Sequence, residues 1–180
     1  VPDVPTSLLD QGGVIPCVET QQLDGAILLA STKLAEEKKP EQMAGLLNDF
    51  FEMATGVIFS HKGSVNNFIG DEVMAIFNAP VDHETHALSA VRVAEEILKL
   101  LKKYNQQHPD HPFDIRIGIN SGNVLAGNIG AKARLQYTVI GDTVNVAKRL
   151  CGFPEVNRIV VGEDTRNYVQ DSYQVRSLGE

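Results

Sequence analysis

At 180 residues, with 43% hydrophobic and 22% charged positions, the chain is long enough for one domain with a sizeable core, and its composition excludes a disordered or fibrous polymer. A net charge of −7 with no basic cluster argues against a nucleic-acid partner, and no run approaches the roughly 18 apolar residues of a membrane span. The two cysteines, Cys17 and Cys151, lie far apart in no metal spacing, and the polar, proline-rich opening has no signal-peptide pattern. A cytoplasmic domain is expected, with regulatory domains elsewhere in a longer chain.

Residues 1–24 read as an irregular lead-in punctuated by Pro2, Pro5, Gly12, Gly13 and Pro16, and the main domain is expected over 25–180. Ala26 to Ala30 is a continuous apolar run, the signature of a central strand covered on both faces. From Pro40 to Phe59 the positions Met43, Leu46, Leu47, Phe50, Phe51 and Ala54 recur at helical spacing, with Pro40 suited to the first turn. Val65 to Phe77 predicts a hairpin with Gly70-Asp71 at its tip. Asp82 to Gln107 predicts a long amphipathic helix with Ala87, Ala90, Val91, Ala94, Ile97, Leu98 and Leu101 on its apolar side. The pairs His83/His86 and His108/His111 flank that helix and are read as solvated, since nothing else marks a metal site.

The stretch from Ile115 to Ala126 alternates as a strand, with Ser121-Gly122-Asn123 read as a turn before a second apolar run. Tyr137 to Ile140 predicts another strand, broken by Gly141-Asp142, where Asp142 is placed to accept amide hydrogens at a helix start near Thr143. On that helix Asn145 and Arg149 are four apart and share a face near the positive end of the helix dipole. An amide donor and a guanidinium fork aimed at one point suit a phosphate, although a surface polar pair has the same spacing. Arg158 to Val161 predicts a strand, Gly162 to Tyr168 a short helix and Tyr173 to Val175 a final strand. Helices alternating with strands and one hairpin indicate an α+β, ferredoxin-like mixed or antiparallel sheet with helices mainly on one face.

Three segments, Phe68-Ile-Gly-Asp-Glu-Val-Met-Ala-Ile-Phe77, Arg116 to Gly130 and Gln136 to Leu150, together resemble the catalytic domain of class III nucleotidyl cyclases, the adenylyl and guanylyl cyclases. The resemblance implies conversion of a nucleoside triphosphate to a 3′,5′-cyclic monophosphate and pyrophosphate, using two divalent cations, Mg²⁺ or Mn²⁺. It implies that Asp71 is a metal ligand, that Asn145 orients the ribose, and that Arg149 stabilises charge on the α-phosphoryl oxygens. Thr138 matches the position that reads the purine edge, where threonine favours adenine, so ATP is the expected substrate. Asn67 stands where the family carries an adenine-contacting lysine, and Phe68 and Gly70 complete the implied substrate-binding set. The implied site lies across a homodimer interface. Without the family motif, Gly-Asp at a hairpin tip is ordinary turn chemistry.

The chain departs from the family pattern after Ala30. The block carrying the first metal aspartate has no counterpart between Ala30 and Pro40: either the carboxylate is lost, with Ser31, a neutral and weak ligand, in its place, or a metal-binding loop with intact flanks is missing from this stretch. A shortened stretch around Cys151 to Pro154, and an end before the family's triphosphate lysine, are further departures. Two readings therefore stand: an adenylate cyclase, or a catalytically inactive cyclase-homology domain serving as a regulatory dimerisation or nucleotide-binding module.

Overall fold

Strand β1 (Gln21–Lys33) organises the sheet because its residues alternate between two cores. Ala26, Leu28 and Ala30 enter one, Ile27 and Leu29 the other, and none of the five exceeds 2% exposure. Burial on both faces explains the unbroken apolar run. The computed structural model describes residues 21–33, 40–131, 134–153 and 155–178, so the lead-in up to residue 20, Cys17 and the segment 34–39 lie outside the described residues. The strand begins at Gln21, inside the stretch read as lead-in, because Gln21 to Asp24 continue the ladder against the neighbouring strand.

The remaining elements are α1 (Pro40–Ser60), β2 (Ser64–Ile69), β3 (Glu72–Phe77), α2 (His86–Gln107), β4 (Asp114–Ala131), β5 (Arg134–Ile140), α3 (Asp142–Cys151), β6 (Ile159–Val161) and α4 (Glu163–Val169). The sheet runs β2-β3-β1-β4-β5, antiparallel throughout this order, and β6 pairs in parallel with β4. Helices α1 and α2 cover one face around Phe50, Ile97 and Leu101, and α3 covers the other through Ala147 and Cys151. This is an α+β mixed sheet with its helices mainly on one side.

Three boundaries differ from the sequence reading. Ser121-Gly122-Asn123 forms no turn: β4 continues through it because β1 is long enough to pair from Ala126 to Asp114 without a break. Helix α2 begins at His86 rather than Asp82, the intervening residues following a cis Ala79-Pro80 bond. Tyr173 to Val175 is not a strand; the Tyr173 amide bonds back to Val169 O at 2.9 Å and its hydroxyl donates to Glu95 at 3.0 Å.

Candidate active site

The hairpin of β2 and β3 turns on Gly70 and Asp71, with Gly70 at φ +64°, a conformation glycine adopts without a Cβ penalty. This turn brings Asp71 over the end of β1. The Ser31 Oγ donates to Asp71 Oδ2 at 3.0 Å, the Thr32 Oγ1 donates to the same oxygen at 3.4 Å, and the Thr32 amide donates to Asp71 O at 3.2 Å. Strand β1 runs straight through Ser31, Thr32 and Lys33, paired with Arg116, Ile115 and Asp114. Next to Asp71, the Glu72 Oε2 lies 3.6 Å from Lys148 Nζ, a long ion pair without a hydrogen bond among the described residues.

That donor set is one carboxylate and two hydroxyls. It fits one hard divalent cation that completes its shell with waters and substrate phosphate. Among the described residues no three His, Cys, Asp or Glu side chains stand together as a metal-holding group.

Helix α3 is seated by Gly118 on β4. A Cβ at that position would lie 2.3 Å from Cys151 N and 2.4 Å from Ala147 O, so only glycine lets the helix backbone rest on the strand. With Thr143, Ala147 and Cys151 facing inward, Asn145 and Arg149 stand exposed on the outer face. Arg149 Nη2 is 3.9 Å from Asp142 Oδ1, and the two side chains are 72% and 82% exposed. So exposed a pair is weakly bound, and the guanidinium is available to an anion. The expected Asp142 cap is not formed. Gly141 occupies the N-cap position, no side chain caps the helix, and the Thr143 hydroxyl instead donates to Asn123 O at 3.0 Å, tying α3 to β4. Lys148, which the sequence reading passed over, adds a second cation beside Arg149; adjacent basic residues in an acidic chain were the available signal.

A β-bulge shapes the purine-edge candidates. In β2 the register slips between Val65 and Asn67, so Asn66 is the extra residue opposite Met74. Asn66 Nδ2 donates to Thr138 Oγ1 at 3.1 Å and also faces Met74 Sδ at 3.7 Å. Because β2 and β5 lie at opposite ends of the strand order, the β4–β5 arm must fold back across the α3 face to make this contact. Asn67, the position marked by the resemblance, is exposed, and Gly70 is exposed at the tip. The Phe68 ring lies on the opposite face of the sheet, 4.6 Å from that of Phe51 in α1. The structure therefore joins Thr138 to Asn66 and leaves Phe68 away from it. The Asn66-Asn67 doublet between apolar Val65 and Phe68 was the sequence signal for Asn66.

The histidine reading needs correction. His86 is 5% exposed, edge-on to the Tyr168 ring at 5.2 Å, because the helix starts there and turns it inward. His83 is half-buried, its Nε2 2.7 Å from Ser89 Oγ, and burial, then the charges of Lys62 and its histidine neighbours, lower its pKa. His108 and His111 are exposed as expected. Cys151 behaves as a small buried hydrophobe; burial, reinforced by the charge of Glu72, pushes its thiol up to about 11.

A Gly-Asp hairpin clamped to the central strand, with an arginine-bearing helix on the opposite sheet face from the main helices, is the arrangement of a nucleotidyl cyclase catalytic domain. Residues 26–180 match the family described as the adenylate and guanylate cyclase catalytic domain, and the chain belongs to that family. It is 41% identical over 124 residues to "Adenylate cyclase 1" of Rhizobium meliloti (strain 1021), covering 67% of this chain and 19% of that protein. The chain thus spans about a fifth of this relative's length. Among solved structures it is similar to the adenylyl cyclase CyaB from P. aeruginosa, with a TM-score of 0.81, 30% identity and coverage of 86% of this chain and 84% of that one. It is equally similar to the guanylyl cyclase Cya2, with a TM-score of 0.82, 30% identity and coverage of 88% and 84%. Among the described residues no helix is long and apolar enough to cross a membrane.

Proposed function

We propose that this domain is an adenylate cyclase, forming 3′,5′-cyclic AMP and pyrophosphate from ATP at a site shared between two copies of the chain. The observation that carries this reading is the outer face of α3. Asn145 and Arg149 project from it unburied, and β5, which bears Thr138, runs directly into it. In the reaction the ribose 3′-oxygen attacks the α-phosphorus in line, its proton is lost, and the bond from the α-phosphorus to the pyrophosphate oxygen breaks. Asn145 orients the ribose by its amide. Arg149 meets the charge that develops on the α-phosphoryl oxygens, where a fixed guanidinium gains most. Asp71 would hold a divalent cation, Mg²⁺ or Mn²⁺, which supplies charge neutralisation and acidifies the attacking hydroxyl.

Adenine as the base is supported by Thr138 and by the 41% identity to a protein named an adenylate cyclase. Asp71 and the α3 pair are read as coming from different copies, so activity should rise with protein concentration faster than in proportion. The assay is cyclic nucleotide formation from ATP and GTP, with Mg²⁺ and with Mn²⁺, across a dilution series of purified protein. Turnover of GTP in preference to ATP would overturn the substrate, and strict proportionality at all concentrations would overturn the shared site.

Ser31 favours a second reading. It supplies a hydroxyl to Asp71 where the resemblance expects another carboxylate, as in a cyclase-homology module that binds nucleotide without turning it over. Nucleotide binding without product in either metal would establish that reading.

A further inference from the structure

We infer that Asn66 is a specificity-positioning residue, fixing the hydroxyl of Thr138 as a hydrogen-bond donor toward the purine edge. The inference rests on the proposed role of Thr138 in reading the base. Both hydrogens of the Asn66 amide nitrogen are directed inward, one to Thr138 Oγ1 at 3.1 Å and one toward Met74 Sδ at 3.7 Å. An amide nitrogen only donates, so Thr138 Oγ1 must accept in this bond. That bond occupies one of the two lone pairs of the hydroxyl and leaves its hydrogen and a single lone pair for the purine edge, which biases it toward donation.

An unconstrained hydroxyl rotates to donate or accept, and reads adenine and guanine almost alike. With Asn66 in place its polarity is biased. A donor pairs with the unprotonated ring N1 of adenine, whereas guanine carries a hydrogen on N1 and sets donor against donor. The bulge makes this possible, since it puts Asn66 as an extra residue opposite Met74 on an edge strand that the β4–β5 arm reaches across the sheet. The Asn66 Oδ1 atom is buried and makes no hydrogen bond among the described residues.

The test compares wild type with Asn66→Ala and with Asn66→Asp, which keeps the shape but has no donor when ionised. Calorimetric titration with α,β-methylene analogues of ATP and GTP in Mn²⁺ gives a Kd ratio whether or not the protein turns over, and thermal melting is recorded alongside. Wild type should prefer the adenine analogue. Asn66→Ala should reduce that preference by about tenfold, the value of one mispaired buried hydrogen bond. Asn66→Asp, by accepting from Thr138 and turning its lone pair outward, should move the preference toward guanine. Equal weakening of both analogues, with the ratio unchanged in both variants, would mean that Asn66 only supports the fold and would overturn the inference. So would a wild type that binds neither analogue. Binding with the expected ratio changes but no product from ATP would defeat the cyclase proposal and leave the Asn66 assignment standing.

Discussion

At the hairpin tip, Asp71 is held by two hydroxyls and a backbone bond from β1, whereas on α3 Asn145 and Arg149 stand exposed, with a single long contact, Arg149 to Asp142, among the described residues. The two regions carry the residues that the proposed chemistry needs, yet they are prepared differently. The carboxylate is positioned by its own chain before any ligand arrives, at the cost of sharing its oxygen with Ser31 and Thr32. The amide and the guanidinium are positioned only through their backbone, by the seating of α3 on Gly118. A residue held from both sides resists displacement but must exchange partners to bind a cation. One held by its helix alone is ready for an anion but loses side-chain freedom on binding.

The sharpest way to break this comparison is Asp71→Ala, expected to lower metal-dependent product formation by at least about 10³-fold while leaving the oligomeric state unchanged. Initial rates in Mn²⁺ together with light scattering check it; wild-type rates would sink the metal assignment. Arg149→Ala comes next, with kcat falling roughly 10²- to 10³-fold and KM changing less, as for loss of a donor that acts in the transition state. A change confined to KM would place Arg149 on the ground-state triphosphate instead.

Gly118→Ala tests the seating of α3 without touching either set of functional atoms. The new methyl group meets backbone at 2.3 and 2.4 Å, so the helix must lift, and the melting temperature should fall by about 3–10 °C. An unchanged melting temperature would show that α3 is not packed as described. The smallest effect concerns Cys151 at the end of the same helix. Its thiol is raised from 9.0 to about 11, so the neutral form is favoured in the folded state. The resulting stability is fully present below pH 9 and is lost as pH rises through about 11. Native protein at pH 8 should resist a thiol-specific alkylating reagent that modifies Cys151 rapidly after denaturation; comparable rates in both states would contradict the burial.

The elements themselves were largely legible. Phe50 and Ala54 in α1, and Ala90, Ala94, Ile97 and Leu101 in α2, lie in the core at the spacing read from the chain. The Gly70-Asp71 turn was also legible, because a two-residue hairpin with glycine at its start is a local preference. What failed had non-local causes. Ser121-Gly122-Asn123 has turn composition, but a partner strand about 100 residues earlier in the chain pairs straight through it and overrides that preference. His86 was read as solvated because nothing in the sequence marked it as a ligand, yet the ring that covers it belongs to Tyr168, far along the chain.

By itself the sequence determined the kinds of elements, their order, the membership of a catalytic family and the short list of polar residues worth following. These depend on hydrophobic period, turn chemistry and motif spacing, all of which act over a few residues. Only the tertiary structure decided which of those residues meet. The Ser31–Asp71 bond joins residues 40 apart and the Asn66–Thr138 bond residues 72 apart. Such contacts are set by strand register, by one bulged residue and by the folding of the β4–β5 arm over the sheet. A single step in register moves a side chain to the other face, so no local pattern can specify them.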